Sequence, residues 1–211
     1  MPLYDPDKGA AREDLCRFLA ACYYQPGPEF AEEKVFESML GAATRVHPDL
    51  AAHARRLGEE FAADGVEKLM LDYTRLFLGP TQIIAQPYGS VWLDEQKTLM
   101  GDSTVAVQEL YREGGFDIAE DFRELPDHVA AELEFLYLLI HRENDAHRNG
   151  KSEALGDIAS LRRRFLGEHL GRWVGPFTVA VEAGAQCAFY RELAALTDRF
   201  VRMEAGGDKI P

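Results

Sequence analysis

The residues with the most chemistry to offer stand between Glu124 and His141, in the stretch ELPDHVAAELEFLYLLIH. Pro126 suits the first position of a helix, where its missing N–H would have had no partner. Asp127 then falls in the first turn, where the helix dipole favours negative charge. The same dipole disfavours imidazolium, so His128 is expected neutral near pH 7, with one nitrogen free to accept a hydrogen bond. Asp117, Glu120, Asp121 and Glu124 lie just upstream, with Arg123 as the one cation in 116–125, and Glu132 and Glu134 lie just downstream. Such a run is either a solvated face or the charged rim of a site.

The constellations of catalysis are missing. There is no GxxxxGK[ST] loop, no GxGxxG entering a helix and no GxSxG elbow. Ser90 follows a glycine, but no matched base accompanies it. Glu134 and His141 are seven apart on one helix face, and His141 and Asp145 four apart. The Glu-x-x-His pairs of a carboxylate-bridged di-iron bundle are lacking, so no metal site is assigned. Cys16, Cys22 and Cys187 are an odd number without CxxC spacing, which signals neither a disulfide framework nor zinc. The chain reads as a binder rather than a catalyst, and no cofactor is expected.

Helices must position these groups. From Pro126 the apolar residues Val129, Leu133, Leu136 and Ile140 line one face, and Ala131, Phe135, Leu138 and Leu139 fill much of the rest. A helix apolar around most of its circumference is buried on several sides, and this one fades near Asn149-Gly150. Upstream, a first helix is expected from about Ala11 to Tyr24, on the stripe Leu15, Phe18, Leu19 and Cys22. A second runs from Glu29 to about Gly41. A third opens at Pro48, and Asp64-Gly65 separates it from a fourth over Val66–Leu78. In that fourth helix Val66, Leu69, Met70, Tyr73, Leu76 and Phe77 share a face, which is plain core packing for most of them. Gly79-Pro80 ends it. The segment Thr81–Tyr88 is the one long irregular stretch, and Ser90–Leu93 reads as short and extended. Long ordered loops often carry function. Tyr88 and Trp92 are therefore either one wall of an apolar groove or lids over the core.

A fifth helix is expected over Asp102–Arg112, then Ser152–His169, a short helix through Trp173, Phe177 and Val181, and a last one on Phe189, Leu193, Leu196, Phe200 and Met203. No stretch alternates with period two. The expectation is one all-α domain, 1–211, a compact bundle of about eight to ten helices, with a hinge near 114–125. The 211 residues are 46% apolar, enough for a sizeable core. A net charge of −13 argues against nucleic acid and against an anionic membrane surface, and is compatible with a basic peptide. No apolar run is long enough to span a bilayer and no secretory signal is visible, so a cytoplasmic location is expected.

Three motifs in order carry a resemblance: Tyr73-Thr74-Arg75-Leu76-Phe77-Leu78-Gly79-Pro80, Pro87-Tyr88-Gly89-Ser90-Val91-Trp92, and Pro126-Asp127-His128 with Glu132-Leu133-Glu134-Phe135. Together they resemble the TorD/DmsD/NarJ family of redox-enzyme maturation chaperones. The likeness extends over the helical layout of nearly the full chain. It departs at Gly89, where the family often has Glu, and at Thr81, where a second glycine is common. The resemblance implies a chaperone for the catalytic subunit of a molybdenum enzyme of the dimethyl-sulfoxide-reductase superfamily. Such a protein binds the client's twin-arginine leader and holds the apoenzyme until the molybdopterin cofactor is inserted, delaying export. It implies a peptide site in which Tyr73, Leu76, Phe77, Tyr88 and Trp92 supply an apolar groove. Asp127, with Glu124 or Asp121, would meet the guanidinium groups. Ser90 belongs to the loop motif, and His128 would accept a hydrogen bond. A monomer or a helix-exchanged dimer fits this picture. A helical adaptor for another protein and a metal- or cofactor-dependent helical enzyme are the competing classes.

Overall fold

The computed structural model describes residues 4–79, 83–119 and 122–206. Asp5 opens the first helix, α1 (Pro6–Cys22), by accepting from the amides of Asp7 and Lys8, with Pro6 in the first turn. That cap starts α1 five residues before the expected Ala11. The apolar stretch after Glu29 is two helices, α2 (Glu29–Glu32) and α3 (Val35–Val46). Lys34 between them takes a left-handed conformation, φ 52°, which breaks the rod. Helix α3 runs through Gly41 to Val46 because Met39, Ala42, Ala43 and Val46 continue its buried stripe.

His47 caps α4 (Pro48–Tyr73) through its Nδ1. Gly65, at φ 73° and ψ 162°, is not helical, so α4 is two helical rods meeting at a kink, at the point where Asp64-Gly65 was expected to separate the third helix from the fourth. The second rod finishes in a π-helical turn, Thr74–Leu78, closed by the Gly79 amide on the Thr74 carbonyl at 2.7 Å. Next come α5 (Ser90–Leu93), α6 (Asp102–Glu113), α7 (Val129–Arg148), α8 (Ser152–Glu168), α9 (Leu170–Gly184) and α10 (Ala188–Glu204). The fold is all-α, with ten α-helices among the described residues. Ser90–Leu93 is helical, not extended: four residues are too few to show a period.

Helix α7 runs through the interior. It packs on α1 and α8, while α10 packs on α4 and α9, and α3 on α1 and α4. Val129, Leu133, Phe135, Leu136, Leu139 and Ile140 are all buried. The centre is rich in rings: Tyr23, Phe77, Phe177, Trp173 and Tyr190 are buried and lie edge to face or tilted on one another. Each such ring contributes ~1.5–3 kcal/mol by burial, with more from ring geometry.

Two polar locks fix the helix ends. Glu204 accepts from Arg12 and Arg162, and Glu143 faces both guanidiniums, which ties α1, α7, α8 and α10 together. Asp72, nearly fully buried, accepts from the amides of Gln186 and Cys187 at 2.8 and 2.7 Å, satisfying orphan donors at the start of α10. Its other oxygen holds Arg75, which also donates to the carbonyl of Gly184 at the end of α9.

Candidate peptide-binding site

The loop before α5 pairs with the turn before α7. The Gly89 amide donates to the Asp127 carbonyl at 2.8 Å, and the Val129 amide to the Pro87 carbonyl at 2.8 Å. Tyr88 and His128 form the antiparallel bridge between them. This pairing sets the start of α7. The helix begins at Val129, not Pro126, because 126–128 form a turn whose backbone is taken by the loop. His128 is the N-cap, its Nδ1 accepting from the Ala130 amide at 3.2 Å. It stays neutral as expected, though burial is the main cause. Burial pushes its pKa down to about 4 against the pull of Glu124 and Asp127.

On the outer side of this pairing, two phenol–carboxylate pairs flank the His128 ring. Tyr88 donates to Glu124 at 2.6 Å, and its ring stands edge-on to His128 at 5.3 Å. Tyr24, just past the end of α1, donates to Glu134 at 2.8 Å and stacks on His128 at 6.2 Å. Burial and then the neighbouring carboxylate push both phenols well above the ordinary tyrosine range, so both remain donors. Tyr73 stands behind them, raised to about 12 by burial and by Glu124. Tyr24, Tyr88, Glu124 and Glu134 are each half-exposed. Each carboxylate spends one oxygen on a phenol and keeps further acceptor capacity, which suits the fork of a guanidinium between aromatic walls.

The inner side uses the same residue types differently. Asp127 is fully buried, with Oδ2 accepting from the Ser90 amide at 2.8 Å at the start of α5. Asp127 Oδ1 and Ser90 Oγ have no hydrogen-bond partner among the described residues. Glu132, also fully buried, accepts from the Trp173 indole at 3.1–3.2 Å and lies 2.9 Å from His169 Nδ1. His169 Nε2 donates to the Ser103 carbonyl at 2.9 Å. With an acceptor facing each ring nitrogen, the surroundings of His169 favour its charged form. Burial alone would lower its pKa, but the Glu132 charge turns the net shift upward. Burial raises the Glu132 carboxyl, and His169 offsets part of that rise. Gly89 faces this cluster: a Cβ there would come within 3.0–3.1 Å of Trp173, Glu132 and His169.

These positions correct several expectations. Asp127 and Glu132 do not stand on a solvated rim, because α5, α9 and the loop close over them. Ser90 is buried with Asp127. Leu76 and Phe77 lie in the core, 0% and 3% exposed. Trp92 turns away from Tyr88, its indole donating to the Gln86 carbonyl at 2.9 Å and its ring 6.4 Å from Phe177. Glu120 and Asp121 lie outside the described residues. The outer cluster thus gathers Tyr73, Tyr88, Glu124 and His128 from the expected set. It adds Tyr24, which the sequence reading placed only at a helix end, and Glu134 as the second outward carboxylate. The one available signal for Tyr24 was an aromatic just before the helix-breaking Gln25-Pro26-Gly27-Pro28.

Comparison with known proteins agrees with this architecture. The chain is 28% identical over 166 residues to the Tat proofreading chaperone DmsD of Salmonella typhimurium, covering 78% of this chain and 80% of that one. It is 24% identical over 177 residues to the chaperone protein TorD of Shewanella pealeana, covering 81% and 74%. A crystal structure from Archaeoglobus fulgidus, assigned to redox enzyme maturation, superposes with a TM-score of 0.55 at 22% identity, covering 90% of this chain and 93% of that one. The model of the nitrate reductase delta subunit family matches residues 42–179, from within α3 to within α9, and the chain belongs to that family.

Proposed function

We propose that this protein is a cytoplasmic chaperone, not an enzyme, for the catalytic subunit of a molybdoenzyme of the dimethyl-sulfoxide-reductase superfamily. It receives the client's twin-arginine leader and holds the apoenzyme until molybdopterin is inserted. The curated relatives are named as chaperones, one of them for proofreading in twin-arginine export, which supports this reading. The observation that carries it is the paired arrangement of Tyr88 with Glu124 and Tyr24 with Glu134 about the neutral His128. Two carboxylates with aromatic walls answer two adjacent guanidinium groups. In this reading Glu124 and Glu134 meet the leader. Asp127 and Ser90 position the loop that presents Tyr88, and Tyr73, Leu76, Phe77 and Trp92 support it from beneath.

The test is calorimetric titration with a synthetic peptide bearing two adjacent arginines. Replacing both Glu124 and Glu134 with Gln should weaken binding at least tenfold without changing helicity, and so should Lys-Lys in the peptide. The affinity should fall as salt rises. Unchanged affinity in the double variant would remove the outer cluster from the site.

A further inference from the structure

The inner cluster stands behind a loop on which the outer cluster depends, and the two meet at Gly89. The Gly89 amide donates to the Asp127 carbonyl at 2.8 Å, and its carbonyl accepts from the Trp92 and Leu93 amides, both at 3.0 Å, at the opening of α5. Its Cα faces Trp173, Glu132 and His169 with little room to spare, since a Cβ would meet all three at 3.0–3.1 Å. Tyr88, one residue back, carries the phenol that donates to Glu124 at 2.6 Å. That phenol is placed from one side by the bridge to His128 and from the other by the Glu132–His169 pair under Gly89.

The pair depends on one proton. His169 Nδ1 lies 2.9 Å from Glu132 Oε1 of α7, and Nε2 lies 2.9 Å from the Ser103 carbonyl in the first turn of α6. An imidazolium has an N–H for each acceptor, and a neutral imidazole has only one. Loss of the proton takes the donor from one of them, and in either tautomer Glu132 loses its counter-charge while fully buried. The surroundings supply no substitute. Glu132 has no other ion-pair partner among the described residues. Asp127, in the turn before α7, is the other charged group that reaches the ring, and it is negative too. Helix α8 presents the Phe165 ring, parallel to the imidazole at 6.4 Å, and α9 presents the Trp173 indole, already donated to Glu132. Tyr111 of α6, within the field of both carboxylates, donates to the Pro126 carbonyl at 2.8 Å.

We infer that Glu132 and His169 are positioning residues of the peptide site, and that a peptide with two adjacent arginines binds more tightly when His169 carries its proton; the inference rests on the reading of the outer cluster. Neither residue touches the peptide. With the proton in place, Gly89 rests on a neutralised pair and Tyr88 is held toward Glu124. Without it, an uncompensated carboxylate lies under the loop, the loop yields to admit water, and Tyr88 loses its backing.

The experiment uses the full chain and an acetylated Arg-Arg peptide with no group that titrates between pH 6 and pH 9. Affinity is measured by calorimetry across that range, with circular dichroism at each pH to follow the fold. It should fall about fivefold toward the alkaline end, as the His169 ring loses its proton. Binding and titration are reciprocal, so saturating peptide should raise the pH at which that ring titrates, followed by NMR, by about 0.7. This second measurement needs no variant, and it would stay still if the pair did no more than hold helices together. His169→Gln and Glu132→Gln, which keep a polar side chain without the charge pair, should bind equally at pH 6 and pH 9. A flat affinity in the unmodified chain, an unmoved ring titration, or an alkaline fall that persists in both variants overturns the link and leaves the outer cluster standing. Absence of binding at every pH removes the outer cluster, and the link falls with it.

Discussion

The two sides of the Tyr88–His128 bridge are built from one kit and behave as opposites. Outside, Glu124 and Glu134 each meet a phenol and keep capacity facing solvent. Inside, Asp127 and Glu132 are sealed, one on a backbone amide and the other on His169 and Trp173. Residue type therefore does not assign the role; the elements packed over a carboxylate do. An outer carboxylate is cheap to keep charged because water still solvates it. An inner one is tolerated only because a specific partner compensates its burial, and it serves to hold helices in place.

The sharpest way to break that contrast is Glu132→Ala. It leaves His169 buried beside no counter-charge and should cost about 3–5 kcal/mol of stability by urea denaturation. Glu124→Ala, which removes only the half-exposed bond from Tyr88, should cost no more than about 1.5 kcal/mol by the same measure. Equal losses would erase the distinction between the two sides.

The histidines sharpen it through pH. His128, held near 4 when folded, binds fewer protons than in the unfolded chain, where it titrates near 6.5. Stability should therefore fall as pH drops from 6.5 to 4, by on the order of 3 kcal/mol. His169 is raised when folded, so its contribution is fully present below 6.5 and fades as pH climbs through its folded value. His128→Asn, which keeps a capping oxygen, should flatten the acid limb of the stability curve, and His169→Gln the alkaline limb. A curve unchanged in either variant would show that its histidine does not sense the fold.

The smallest effect belongs to the outer hydroxyls. Tyr88→Phe removes one half-exposed hydrogen bond and should cost about 0.5–1.5 kcal/mol in thermal or urea unfolding. A loss above 3 kcal/mol would make Tyr88 a core residue and move the boundary between the two sides.

Much of the bundle was legible because long amphipathic stripes leave little freedom. The stripe of α1, the apolar girth of α7 and the breaks at Pro48 and Gly79 all follow from it. What was hidden depended on distant partners. Pro126 looks like a first helical residue until Pro87 and Gly89 take the backbone around it. Glu132 looks like a surface residue in a charged run, and only His169 and Trp173, some forty positions on, make its burial tolerable. The left-handed Lys34 that divides α2 from α3 carries no compositional mark. Within the site, Glu124, His128 and Tyr88 were readable as types. Their separation from Asp127 and Ser90 was not, because it depends on the Tyr88–His128 bridge, which joins segments some forty residues apart.

The latch at Asp72 has a consequence for biosynthesis. This carboxylate leaves the ribosome 114 residues ahead of Gln186, the first of the two amides that it caps. Until that part of the chain has been made, Asp72 lacks its two amide donors and the Tyr73 next to it lacks the Tyr190 ring. The end of α4 is thus locked in place only once the chain has been made as far as the start of its last helix.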